Sequence, residues 1–242
     1  MTGRMNGMTK TAVVTMVAAA LGVGAHALAN ESGTPSGGTI IDQAWTQIAA
    51  SDSGACRVDR IAKDWESKGK PKVKGWAEDV TDAEAKAAYA CIKPKMIKNY
   101  AKSDEKGAKQ YSDWALYNTV AYPSSTHGGR FVNNYGNDVG AAYAKFENSG
   151  KMPAGTVLVK DSFGINKKGE VKAGPLFTMI KMDSGFNDKS QDWRYALIFP
   201  NGKLMGATGG KNSKKLGFCI NCHVAAAETD SMFFMPEEYR RK

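Results

Sequence analysis

The chain has 242 residues, 42% hydrophobic and 10% aromatic, enough for one domain with a proper core. Its 33 lysines and arginines against 24 acids give a formal net charge of +9, which can steer an acidic redox partner or an anion and can equally be a solvated surface. The basic residues are scattered rather than clustered beside aromatic side chains, which argues against a nucleic-acid-binding module.

Residues 1–29 lack acids, carry Arg4 and Lys10 early, then run apolar to Ala27-Leu28-Ala29. A positive start, a short apolar run and small residues predict a cleavable signal peptide, and so export, to the periplasm in a Gram-negative host. A membrane anchor is the alternative, opposed by the Ala and Gly content of the run. Cleavage after Ala29 lowers the net charge to +7 and leaves two histidines, His127 and His223. Residues 30–39 are a polar leader rich in Gly and Ser, with the composition of a flexible tether.

Residues 40–111 read as a helical extension. Ile41, Ala44, Trp45 and Ile48 form one stripe at helical spacing, and Val58, Ile61, Ala62 and Trp65 another. Thr81 is an N-cap candidate with Glu84 at the capping-box position. Pro94 is expected to kink or end that helix. Cys56 and Cys91 both fall in these helical patterns. In an oxidising compartment they read as a disulfide between two helices, with a pair of buried reduced thiols as the alternative.

From Asp113 the period changes. Trp114–Val120 alternates weakly, residues 122–129 are turn chemistry, and Arg130–Tyr135 reads as a strand. Residues 139–149 suit a short helix ending at Gly150. The β-branched run Thr156–Lys160 reads as a strand, placing Val157, Val159 and Asp161 on one face and Thr156, Leu158 and Lys160 on the other. After an Asn166–Gly169 turn come a strand from Pro175 to Met182 and a hairpin from Trp193 to Met205 through Pro200-Asn201-Gly202. Strands separated by turns favour an antiparallel sheet, so residues 112–242 are expected to be α+β, an antiparallel sheet with a C-terminal helix.

That last helix carries Cys219-Ile220-Asn221-Cys222-His223, the Cys-x-x-Cys-His signature for covalent attachment of one c-type haem. Two thiols three residues apart add to the two porphyrin vinyl groups, and the adjacent imidazole supplies the proximal iron ligand. A zinc site would need further ligands at metal-binding spacing, which Cys56, Cys91 and His127 do not offer. A redox dithiol lacks its βαβ surroundings. Only 19 residues follow His223, too few for the distant axial Met of small electron carriers. Met232 and Met235 are expected to pack near the proximal side. His127 is a possible sixth ligand, although a lone His in a Gly-rich turn more often lies at the surface. An iron without a strong sixth ligand is open to small molecules, which favours a catalyst or gas binder.

The chain also resembles a known family over about residues 113–240. The segments HGGRFVNNY, MPAGTVLVKDSF, GPLF, DWRYALIFPNGK and FCINCH, followed by Asp230-Ser231-Met232-Phe233-Phe234, are similar in order and spacing to the cytochrome P-460 family and its relative cytochrome c′-beta. The helical extension is not part of that pattern. The resemblance implies a periplasmic, typically homodimeric haem protein with an antiparallel β fold, His223 as axial ligand, and Cys219 and Cys222 in thioether links. It also implies that Lys160, by its position in GTVLVK, is cross-linked to the porphyrin. The activity implied is oxidation of hydroxylamine, with nitric oxide, to nitrous oxide, its electrons passing to a periplasmic redox partner. The c′-beta relatives bind nitric oxide without a cross-link. A distal proton acceptor is needed for catalysis; Asp183, after the PLFTMIKM strand, is the expected distal acid, Glu170 is an alternative, and Arg130 and Phe131 are weaker candidates for the distal wall.

Overall fold

The computed structural model describes residues 55–242. The signal-peptide segment, the leader and the stripe from Ile41 to Ile48 lie outside the described residues. Two helices come first, α1 (Asp59–Ser67) and α2 (Asp82–Tyr100). Eight strands follow: β1 (Ala115–Leu116), β2 (Tyr122–Ser124), β3 (Arg130–Gly136), β4 (Val157–Ile165), β5 (Val171–Ala173), β6 (Leu176–Lys181), β7 (Trp193–Ile198) and β8 (Leu204–Ala207). The motif helix α3 (Gly217–His223) comes last and runs on as a 3-10 helix, Val224–Thr229. The strands form one antiparallel sheet in the order β1-β3-β4-β6-β7-β8, with β2 also on β3 and β5 also on β4. The fold is α+β, as expected.

Both faces of the sheet are covered. On one, Val157, Val159, Phe163 and Ile165 of β4 and Phe131 and Tyr135 of β3 pack against Ala85, Ala88, Ile92, Met96 and Tyr100 of α2. Small alanines at the start of that stripe let the helix approach the sheet, and larger side chains fill the space towards its end. On the other face, Val132, Leu158, Trp193 and Tyr195 meet Tyr117, Tyr143, Met152, Met232 and Met235. Residues 55–111 thus contribute to the same core as the strands rather than standing apart from it.

The capping box is present: Glu84 N–H donates to Thr81 Oγ1 and Thr81 N–H donates to the Glu84 carboxylate. One local expectation is corrected and two are refined. Helix α2 does not end at Pro94 but continues to Tyr100. Pro94 and Ala90, whose carbonyl loses its donor, are both on the exposed side of the helix, where water can replace the missing bond. The short helix expected over residues 139–149 is present as a 3-10 helix, Asp138–Asn148, broken at Phe146 (φ 50°). Residues 68–81 are not helical; they run beside the end of β4, with Ala77 N–H on the Ile165 carbonyl.

Cys56 and Cys91 are disulfide-bonded, with Cα atoms 5.9 Å apart. Cys91 is in α2, but Cys56 is extended, because Val171 N–H donates to the Cys56 carbonyl and Val58 N–H to the Gly169 carbonyl. The bond therefore ties α2 to a segment paired with the sheet rather than to a second helix. The Pro200-Asn201-Gly202 turn forms as expected. Gly202 has φ +86°, and a Cβ there would lie 2.3 Å from the Asn99 carbonyl oxygen at the end of α2.

Asp161 is fully buried beneath α2, where its carboxylate accepts from Tyr89 Oη (2.6 Å), Tyr111 Oη (3.2 Å) and Asn133 Nδ2 (2.9 Å). Burial raises its pKa to about 6, outweighing these bonds. An acid raised in the fold is favoured folded when protonated, so its contribution is fully present below the unfolded value, near 3.8, and is lost as pH rises through about 6.

Two predictions follow from this packing. Replacing both Cys56 and Cys91 by Ala should cost roughly 3–4 kcal/mol for a loop of this length, read by urea denaturation. Asp161→Asn should gain on the wild type by roughly 2–3 kcal/mol between pH 4 and pH 7, measured in the same way. A difference independent of pH would show that Asp161 titrates normally.

Candidate functional site

The second face of the sheet encloses a cavity of about 310 Å³ under α3. Strand alternation selects its wall. In β4, Leu158 and Lys160 project into it while Val157 and Asp161 turn towards α2. Lys160 is paired across the sheet with Asn134 of β3 and Phe177 of β6, and both also line the cavity. Cys219, Cys222 and His223 close the opposite side. The structure therefore brings all four of the principal expected site residues around one space. Met232 lines it as well, and Met235 is buried in the adjoining core.

The imidazole of His223 is held on three sides. Nδ1 lies 2.7 Å from the Ser231 carbonyl oxygen, so with a proton on Nδ1 it donates there and Nε2 is the free nitrogen. The Tyr195 and Phe233 rings flank it at 5.0 and 5.4 Å. Burial lowers its pKa to about 4, so it is neutral near pH 7, the form that ligates a metal.

Lys160 has no salt-bridge partner among the described residues. Desolvation lowers its pKa to about 8, partly opposed by the charge of Cys222. The Cys219 and Cys222 thiols are free. Burial raises Cys219 to about 11, the reverse of the lowered thiol of a redox dithiol. Among the described residues no three His, Cys, Asp or Glu side chains converge on a metal site, so the zinc alternative has no further ligands.

His127 is the functional candidate that sequence reasoning undervalued. The Gly-rich turn that suggested a surface position instead lays the imidazole edge-on to Phe177, with centroids 4.8 Å apart, at the cavity wall. Its Nδ1 is 2.9 Å from Ser124 Oγ and 3.2 Å from Thr126 Oγ1. Burial, then the charges of Lys160 and His223, lower its pKa to about 3. A polar cluster also went unnoticed: Tyr122 Oη donates to Asn134 Oδ1 (3.0 Å), and Asn134 Nδ2 donates to Tyr143 Oη (2.8 Å). The available signal was an Asn at a cavity-facing position inside a buried strand.

Asp183 is corrected. It lies past the end of β6, exposed, beside Glu105 and Arg194 at a separate surface depression. The turn closed by Phe186 N–H on the Asp183 carbonyl carries it away from the cavity. Glu170 pairs with Lys172, Arg130 lies over Trp76, and Phe131 stacks on Phe163 in the α2-side core, so none of these forms the cavity wall. Among the described residues no carboxylate does.

The donor set of two free thiols and a neutral, oriented imidazole at one end of an apolar cavity fits a haem iron and its porphyrin. Among known families, the one described as Cytochrome P460 matches residues 108–234. No curated protein matches the chain.

The depressed amine yields a direct test. In haem-free protein, acylation of Lys160 by an amine-reactive ester should be half-maximal near pH 8, read by peptide mass spectrometry, while the exposed lysines react only at higher pH. A midpoint near 10.5 would show that Lys160 is solvated.

Proposed function

The chain belongs to the cytochrome P460 family and is a haem protein, and on that premise we propose that it is a periplasmic c-type oxidoreductase acting on hydroxylamine. Reaction of hydroxylamine with nitric oxide gives nitrous oxide, water, one proton and one electron, the electron leaving to a redox partner. The observation that carries this reading is Lys160, which shares one cavity with Cys219, Cys222 and His223, unpaired and readily deprotonated.

Cys219 and Cys222 would hold the porphyrin, each S–H adding across a vinyl group with no atom lost, and His223 Nε2 would ligate the iron. The haem, when bound, supplies an iron that takes up the nitrogen substrate and accepts the electron. Lys160 Nζ, lining the same cavity, would be the group to cross-link the porphyrin, a bond whose formation would need a two-electron oxidant and would remove the cost of burying an ammonium. Leu158, Phe177 and Met179 exclude water from the reacting centre. His127 is neutral, and with its Nδ1 hydrogen-bonded to Ser124 Oγ its Nε2 can take the substrate proton, leaving an imidazolium.

A specific observation favours a second reading, nitric oxide binding without turnover: among the described residues no Asp or Glu lines the cavity, so proton removal rests on a weakly basic imidazole.

Two measurements separate the readings. A strongly red-shifted ferrous Soret band, together with one haem joining the Cys219–Cys222 and Lys160 tryptic peptides at a mass two hydrogens below their sum, is expected for the enzyme. Lys160→Ala should abolish both signals, and His127→Ala should lower hydroxylamine turnover about 100-fold while leaving the spectrum unchanged. An ordinary high-spin spectrum, unmodified Lys160 and no turnover would identify the nitric oxide binder.

A further inference from the structure

Seven residues beyond His223 the chain makes a tight reversal that normal backbone preference opposes. Asp230 and Ser231 are consecutive non-glycine residues in the left-handed region, at φ 53° and 58°. Such geometry persists only where the surroundings enforce it. Here they do. Lys181 Nζ at the end of β6 lies 2.5 Å from Asp230 Oδ1, the two side chains being 3% and 5% exposed. Met152 N–H donates to Asp230 Oδ2 (2.8 Å), and Trp193 Nε1 donates to the Asp230 carbonyl (2.6 Å). Ser231 Oγ donates to Gln191 Oε1 (2.8 Å), and Ser231 N–H donates to the Ala226 carbonyl (2.8 Å). Lys181 also donates to the Gln191 carbonyl (2.7 Å) and lies over the Trp193 ring.

The atom this clamp fixes is the Ser231 carbonyl oxygen, which accepts from His223 Nδ1. A buried ion pair is a poor way to gain stability, since apolar side chains of the same volume often pack as well or better. An ion pair does hold one geometry, and the geometry held is the hydrogen bond that sets how strongly the imidazole donates to its metal. We propose that Asp230, held by Lys181, is a positioning residue for the proximal ligand: it locks the Ser231 carbonyl against His223 Nδ1 and thereby tunes the electron donation of His223 to the haem. The proposal rests on the reading of His223 as the axial ligand.

The test uses haem-loaded protein. In the wild type, the iron–histidine stretch of the ferrous form is recorded by resonance Raman, and the midpoint potential by spectroelectrochemistry. In Asp230→Asn the charge is lost while shape and one acceptor remain, so the Ser231 carbonyl is less firmly held. The stretch should shift to lower frequency and the potential should rise, with the circular dichroism of the sheet unchanged. The double variant Lys181→Met, Asp230→Leu keeps the packing without the ions and should show the same two shifts. Wild-type frequency and potential in a folded variant overturn the proposal, and so does loss of the sheet in both variants, because the pair is then packing or folding alone. Absence of an iron–histidine stretch in the wild type would instead refute the ligand reading.

Discussion

The site depends on the two-residue period of β4. Along Leu158-Val159-Lys160-Asp161 the backbone sends alternate side chains through opposite faces of a sheet that is covered on both. Lys160 and Asp161 are adjacent in sequence, yet they work in separate compartments, one at the cofactor cavity and the other under α2. A slip of one residue would exchange them, placing a carboxylate in the cavity and an amine among the tyrosines. Six register pairs with β3 and four with β6 prevent it, and the apolar residues on either side would be misplaced by the same slip.

Four ionisable side chains away from bulk water show three ways of meeting one cost. Lys181 and Asp230 are paired, with further hydrogen bonds around them. Asp161 forms no salt bridge among the described residues and is surrounded by donors, and burial raises its pKa. Lys160 has neither, so it sheds its proton more easily than an exposed lysine. In a structural ion pair the amine is spoken for; in the cavity it is left available. That difference separates the unpaired amine of Lys160 from the paired one of Lys181.

Much of this was legible in the chain. The attachment motif, the capping box at Thr81 and Glu84, the β-branched run of β4 and the Pro-Asn-Gly hairpin are local signals, each resolved within a few residues. What was missed depends on partners distant in sequence. β5 is three residues long and is held by β4 and by the segment around Cys56. Pro94 reads as a helix breaker only until the carbonyl it deprives is seen to face solvent. His127 and Asp183 exchanged importance because a turn decides the direction of each: one folds its imidazole onto Phe177, the other swings its carboxylate outward. Residue type suggested the chemistry, but only tertiary packing shows which side chains reach it.

The disulfide carries a consequence for how such a molecule is assembled. The chain has four cysteines, two of them oxidised to one another and two left as free thiols. The fold separates the pairs: Cys56 and Cys91 belong to the core on the α2 side, Cys219 to the core on the other. Cys219 is moreover a slow nucleophile, since burial keeps its thiol protonated. Once the sheet has formed, it stands between the oxidised pair in one core and Cys219 in the other, so that one half of the molecule is locked by a disulfide while the other keeps its thiols free.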